Sequence, residues 1–377
     1  MKRRSGTLSC VFLVSLLVLA ACAQAPSAPA APTSKPASAP AAPTAPPASA
    51  LVVPTATSAP APAATAVPVA KPAKIDRIRV AWTAVSGAMV PAYVAIEKNL
   101  FAKHGLDAEV SYIATSTQLT PAVMNGEVPI AFMGGAGIQA DLAGADIVYI
   151  AGGTDELVFS LYTKAEIKSV ADLRGKKIGV SRFGSATDFG ARYTLKKNNL
   201  EPAKDVAVIQ AGGVPEILAA LQAGGIDGGI LSPPITLRAR NLGFKELVDL
   251  AALGAPYVQM SIGASKAWVD KNPDIVRKFL RAYVEAISVV KNEKEFTKKA
   301  LSKYTKTENE ADLEETYTAF AKVFKKVPYP SKDAVQAIID LEVESNSKAK
   351  DAKAETMIDG RFVKELDQSG FINSLYK

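Results

Sequence analysis

The sequence is poor in the residues that most often carry covalent and metal chemistry: its 377 residues include two cysteines and one histidine. Cys10 and Cys22 both fall near the start, so residues 23–377 offer no thiol as nucleophile, metal ligand or disulfide partner. A zinc site of the usual His/Cys type is excluded by this inventory. No G-x-S-x-G occurs, and a Ser-His-Asp triad would have to recruit His104, in an expected turn before Gly105. An excess of one charge is also missing from the bulk of the chain. The formal net charge is +7, but six of the 44 basic residues precede residue 75 and none of the 37 acidic ones does. Residues 75–377 therefore carry 38 basic against 37 acidic side chains. Nucleic-acid binding calls for a basic face, so no nucleic-acid partner is expected.

Long apolar runs are scarce too. The stretch at 11–21 falls well short of the roughly 20 residues that span a bilayer. It comes after Lys2, Arg3 and Arg4 and ends in LAAC at 19–22, so residues 1–21 read as a secretory signal. The LAAC sequence resembles a bacterial lipobox. Cys22 is then the expected site of diacylglycerol attachment, anchoring an extracytoplasmic protein to the cell membrane. Stable anchoring needs more than one acyl chain.

Proline is concentrated in the next segment. Residues 23–74 hold 13 of the 24 prolines and no aromatic or acidic residue. Such a composition buries too little apolar surface to offset the entropy of ordering, so residues 22–74 read as a lipidated cysteine and a disordered linker. At about 3.1 Å per residue in polyproline II, the tether reaches on the order of 100 Å or more.

Beyond residue 75, short apolar runs alternate with helical-period segments. Strands are expected near 78–83, 108–113, 128–133 and 147–151, with helices near 89–98, 118–125 and 136–142. A second series places strands at 177–181, 206–210, 228–231 and 246–250, with helices near 185–197, 214–223 and 234–241. Strands of this length alternating with helices predict βαβ units and parallel sheets, hence two α/β domains. After Lys266 the pattern turns helical, with Phe279, Leu280, Tyr283, Ala286, Ile287 and Val290 at helical spacing. The stretches 157–163 and 258–264 are the candidate crossings between domains. Residues 75–162 with 260–377 then form the first lobe, and 163–259 the second.

The motif DLRGKKIGVS at 172–181, followed by Gly184, Ser185 and a helix, resembles the sulfonate, nitrate and thiamine-precursor binding proteins of ABC importers. PAYVA at 91–95, HGL at 104–106, MNGEV at 124–128 and the segment 218–227 before SPP at 232–234 fit the same pattern in order and spacing. The likeness covers roughly residues 76–265. It implies a two-lobed, periplasmic-binding-protein-like (type II) α/β fold, with two parallel-rich sheets flanked by helices and two crossing strands at the hinge. It also implies a small-molecule ligand, with a permease and an ATPase as partners; a monomer with neither enzyme activity nor a cofactor is expected. Relatives that synthesise the thiamine pyrimidine use histidine- and cysteine-rich motifs that are missing here.

The loops support a ligand site independently, because ligands of open parallel sheets bind outside the carboxyl ends of the strands. Trp82 and Thr83 end the first expected strand; Gly134 and Gly135 come after the third, and Gly152, Gly153 and Thr154 after the fourth. In the second series Ser185, Ala186, Thr187 and Asp188 open a helix, Gly213 comes after the second strand, and Ser232 and Pro233 after the third. Glycines let backbone N–H groups approach a ligand, and a helix start offers unpaired N–H groups to an anion. Each feature also has a plain structural reading. Ser185 is a good N-cap, with Asp188 three residues on, and Trp82 packs as readily beneath a loop as against a ligand. A flat organic molecule or a small anion is the expected solute; Asp188 facing the cleft would argue instead for a cation. Two other function classes stay open. One is a ligand-sensing receptor. The other is a secreted dinucleotide enzyme, since residues 135–140 fit G-x-G-x-x-[GA] after a strand, although after the third strand rather than the first.

Overall fold

A computed structural model describes residues 75–113, 116–343 and 346–377. Cys22, the signal segment and the linker lie outside them. The chain opens with β1 (Asp76–Trp82), α1 (Val90–Glu97), α2 (Leu100–Lys103), β2 (Leu106–Tyr112) and α3 (Ser116–Met124). It continues through β3 (Ile130–Met133), α4 (Ala136–Leu142) and β4 (Ile147–Glu156). A second set runs β5 (Ser160–Thr163), β6 (Lys177–Val180), α5 (Ala186–Lys197), β7 (Ala207–Gln210) and α6 (Val214–Gln222). It closes with β8 (Gly228–Leu231), α7 (Ile235–Asn241) and β9 (Lys245–Asp249). Then β10 (Pro256–Ser265) leads into α8 (Lys266–Lys271), α9 (Pro273–Asn292), α10 (Lys294–Thr305) and α11 (Glu310–Val323). The last helices are α12 (Lys332–Glu342), α13 (Arg361–Gln368) and α14 (Phe371–Ser374).

The first sheet has the order β2-β1-β3-β10-β4 and the second β7-β6-β8-β5-β9. Within the first, β1 runs parallel to β2 and β3, while β10 lies antiparallel between β3 and β4. Within the second, β6 runs parallel to β7 and β8, while β5 pairs antiparallel with β8 and β9. Each sheet is thus mixed, with one reversed strand inserted among parallel ones. The molecule has the two-lobed α/β architecture expected, with one refinement at the crossings. Residues 160–163 are already a strand of the second sheet and 258–264 lie within β10, so the links between sheets are 157–159 and 250–255.

Alternation fixes the register at the first sheet's edge. Ile78 and Val80 of β1 point into the core, while Arg77 and Arg79 face out beside their register partners Asp107 and Glu109 on β2. The pairs close at 3.0 and 3.4 Å. Exposed pairs of this kind contribute a few tenths of a kcal/mol each; their larger effect is to favour this register, since a slip by one residue would bury the arginines.

Helix α9 anchors the first lobe. Pro273 starts it, Asp274 suits the N-terminal end of the dipole, and Val276, Phe279, Leu280, Tyr283, Ile287 and Val290 form a buried stripe. The stripe packs with α1 and one face of the first sheet. The other face packs on α3, α4 and α12, and its apolar cluster continues through Leu157, Phe159, Phe189 and Tyr257 into the second lobe. The hinge is therefore apolar inside.

Candidate functional site

The carboxyl end of β6 builds the most polar corner of the cleft. Ser181 comes directly after the strand, Gly184 turns the chain at φ +76°, and Ser185 caps α5 in extended conformation. Its positive φ favours glycine at 184, and a Cβ there would lie 2.6 Å from Gln139 Oε1 of α4 in the opposite lobe, the mobile end of a side chain that could shift. The Ser185 hydroxyl accepts from the Asp188 N–H at 3.4 Å. It also lies 2.9 Å from both Ser181 Oγ and Thr187 Oγ1, which are 2.8 Å from each other. Thr187 Oγ1 further accepts from the Ser181 N–H at 2.8 Å. Three hydroxyls thus close a triangle at the start of a helix. Each carries one rotatable proton, so an acceptor entering the cleft can draw those protons outward. The positive end of α5 favours a ligand with negative charge or a polar oxygen.

Asp188 takes no share in that offer. It is 4% exposed and its carboxylate is occupied, accepting from the Gly184 N–H at 2.9 Å and from Arg192 Nε at 2.9 and 3.0 Å. Its geometry is that of a brace holding loop and helix together.

On the first lobe, Trp82 is 8% exposed and packs against Tyr93, Tyr112 and Tyr304. Its neighbour in the β1–β2 register is Tyr112, 47% exposed at the end of β2. The Tyr112 phenol is pushed up by burial and then by the charge of Glu216, on the first turn of α6 in the opposite lobe. Thr83 is buried, and its hydroxyl donates to the Phe132 carbonyl at 3.3 Å. The Gly134 carbonyl accepts from the Tyr149 hydroxyl at 2.6 Å. At Gly135 a Cβ would lie 2.5 Å from Ile338 and 3.0 Å from the Tyr257 hydroxyl, so that glycine serves close packing.

Thr154 stands apart. Gly152, Gly153 and Thr154 do not come after the fourth strand but lie inside it, since β4 runs on to Glu156. Thr154 is wholly buried, and its hydroxyl has no partner among the described residues. Gly213 caps α6 and is exposed, with a Glu216 carboxylate oxygen 2.7 Å from where its Cβ would be. Ser232 and Pro233 end β8 in a buried turn, where the Ser232 carbonyl accepts from the Ile235 N–H at 2.9 Å.

A second bridge between the lobes begins at that turn. Thr236 Oγ1 donates to Glu315 of α11 at 2.7 Å, and Arg240 pairs with the other oxygen of the same carboxylate. Arg240 also donates to the Tyr162 hydroxyl at 2.9 Å, whose pKa burial pushes up to about 12. Ser181, Tyr112, Thr236, Arg240 and Glu315 are not singled out by the sequence. Ser181 is within its reach as the residue ending β6; the others meet only through tertiary packing. Among the described residues no group of three or more His, Cys, Asp or Glu side chains is placed to hold a metal ion. No helix among them is long and apolar enough to cross a membrane.

Comparison with known proteins bears on the fold and the family. A nitrate/nitrite binding protein of a Nostoc species is 25% identical over 221 residues, which are 52% of this chain and 50% of that protein. The chain thus matches only half the length of that relative. A riboflavin-binding protein of Chloroflexus aurantiacus is 26% identical over 253 residues, 62% of this chain and 67% of that one. Among solved structures, the alkanesulfonate-binding protein SsuA of Xanthomonas axonopodis pv. citri, bound to MOPS, superposes with a TM-score of 0.65 at 18% identity. It covers 76% of this chain and 99% of its own. The nitrate-binding protein NrtA of Synechocystis has a TM-score of 0.64 at 16% identity, over 80% and 91% of the two chains. At such identities the structures speak for the fold. The family model described as NMT1/THI5 like matches residues 87–295, from the loop after β1 to the start of α10 and so through every strand but the first, and the chain belongs to that family.

Proposed function

We propose that the protein is an extracytoplasmic solute-binding lipoprotein that captures a small molecule between its lobes and delivers it to an ABC importer. The hydroxyl triangle of Ser181, Ser185 and Thr187, set at a helix start on a glycine loop that touches the opposite lobe, carries the reading. Residues 1–21 serve as signal, Cys22 as lipid anchor and 23–74 as tether, so the folded part sweeps the space in front of a permease. The protein acts as a monomer and performs no chemistry on its cargo. Within the cleft, Trp82, Thr83, Gly134 and Gly135 shape the first-lobe wall, and Ser185 to Thr187, Gly213, Ser232 and Pro233 the second. Thr154 and Asp188 support the walls from behind. The lobes divide near residues 160 and 255.

Asp188 is already paired, so a cationic ligand finds no open carboxylate there. A planar organic acceptor or a small anion is the cargo that suits these donors. Contacts made only when both lobes touch the ligand shift the population towards a closed form, and that form is what the permease recognises.

The test is a thermal-shift screen of the purified protein against nitrate, alkanesulfonates, aromatic acids, pyrimidines and riboflavin, with nicotinamide dinucleotides included. A ligand at a hundred times its dissociation constant adds about 2.7 kcal/mol, several degrees in melting temperature. We expect one solute class to raise it. A response to dinucleotides alone, or to none of the panel, would count against the reading.

The Glu315 bridge yields a separate expectation. Glu315→Gln keeps the size and removes the charge shared by Thr236 and Arg240. At partial exposure the pair is worth about 1 kcal/mol or less, up to roughly fivefold in the balance between lobe arrangements. The radius of gyration without ligand should grow in the variant. Identical scattering curves would show that the bridge does not hold the lobes.

A further inference from the structure

A second cavity lies to one side of the strand-end cleft. It has a volume of about 390 Å³ and is walled by α5 of the second lobe and by α4, α12 and β10 of the first. That is within the range of small-molecule sites. Arg192, which lines it together with Lys196, lies two turns down α5 from Ser185, about 10 Å along the axis. Gly184 and Ser185 also line the cavity, so it adjoins the hydroxyl triangle at one end, with Arg192 further along the helix.

The hydrogen-bonding capacity of this cavity is unbalanced. Its best-placed acceptors are engaged: both Asp188 oxygens accept from Arg192 Nε, one also accepts from the Gly184 N–H, and Glu342 Oε1 accepts from Gln139 Nε2 at 2.8 Å. Two donors are not. Arg192 binds Asp188 through Nε alone, and its two terminal nitrogens have no hydrogen-bond partner among the described residues. Tyr257 is 2% exposed and lines the cavity, yet its hydroxyl has no partner among the described residues either. Burial, and after it the charges of Asp188 and Glu342, push the Tyr257 phenol up, so it stays protonated and donates. Between these donors the wall is apolar. Phe189 lies with its ring 4.5 Å from that of Tyr257, and Ile338 and Leu341 of α12 complete the surface.

A guanidinium braced at Nε by a buried carboxylate presents its terminal edge in the fork geometry that matches a carboxylate oxygen pair. A phenol donor and an aromatic-aliphatic wall beside it suit an acid with a compact apolar body. We propose that this cavity is a second ligand site, for small arylalkanoic or branched-chain carboxylic acids. The carboxylate lies on the terminal nitrogens of Arg192 and the hydroxyl of Tyr257, and the apolar part against Phe189, Ile338 and Leu341. The site adjoins the strand-end cleft at Ser185, and its walls belong to both lobes, so a bound acid sets their separation.

The test uses the full chain purified in mild detergent, titrated calorimetrically with phenylacetate and with phenylacetamide, and crystals soaked in 4-bromophenylacetate. We expect bromine density between α5 and α12, with phenylacetate bound at least tenfold more tightly than its amide. Arg192→Gln should weaken phenylacetate at least tenfold. Where that variant fails to fold, Leu341→Trp, which fills the cavity from the opposite lobe, should have the same effect. Bromine in the strand-end cleft, water alone in the cavity, or equal binding of acid and amide would overturn the proposal. The hydroxyl triangle is tested separately, by its own variants.

Discussion

Ser181→Ala combined with Ser185→Gly should weaken binding of the cargo by about thirtyfold or more while the protein melts within a few degrees of the parent. The pair is chosen to separate ligand contact from helix capping. Ser185 both caps α5 and belongs to the triangle, so alanine there would remove a cap worth about 1 kcal/mol. Glycine at an N-cap costs only a few tenths. Among the described residues Ser181 Oγ bonds only to the other two hydroxyls, and its loss strands no buried group among them. Thr187 is kept because its oxygen accepts the Ser181 N–H in a part-buried bond, and losing that bond would add a stability cost of its own. Two lost hydroxyl contacts to a polar or charged ligand amount to roughly 2 kcal/mol or more. Calorimetry with the solute that raises the melting temperature checks this. Unchanged affinity in a folded variant would mean that the triangle serves only the loop.

Gly152→Ala should cost about 2–4 kcal/mol of stability, one of the largest effects of any single methyl group in the molecule. Gly152 lies inside β4, where its N–H donates to the Pro328 carbonyl at 2.7 Å and its carbonyl accepts from the Tyr283 hydroxyl at 2.6 Å. A Cβ would fall 2.4 Å from the Tyr329 carbonyl oxygen. The obstacle is backbone, so no rotamer change relieves it; either the 328–329 segment moves and its hydrogen bond is lost, or the strand distorts. Overpacking of this kind costs about 1–3 kcal/mol, and the hydrogen bond about 1 more. Gly225→Ala is the control, since the nearest atom to its Cβ is 3.6 Å away, and it should be close to neutral. Denaturant midpoints measure both, and equal midpoints for the two variants would sink the argument.

These glycines show where sequence reading falls short. A Gly-Gly pair after an apolar run looks like a loop, which would put 152–153 at the cleft. They are in a strand because Tyr329 and, against Gly153, the Met260 carbonyl press onto the backbone, a contact made by residues far along the chain. Strand direction is equally hidden. The apolar run at 157–163 has the same local pattern whichever way it pairs, so the reversed setting of β5 beside β8 is a tertiary fact. Features set by local chemistry are legible: the Ser185 cap, the two βα series, and the buried stripe of α9. Glu315 cannot be found that way, because its partner Thr236 is 79 residues distant and neither lies in a motif.

The placement of β10 has a consequence for how the chain is made. The second sheet comes from one continuous stretch, β5 to β9, and can complete itself as soon as residue 249 is available. The first cannot, because the strand between β3 and β4 pairs Ile262 with Phe132 and with Ala151. Until β10 arrives, β3 and β4 present bare edges with their apolar faces uncovered, the condition in which strands stick to other chains. Contacts so distant in sequence form slowly. The second sheet can thus complete itself early, while the first, which waits for β10, is the one left open to other chains.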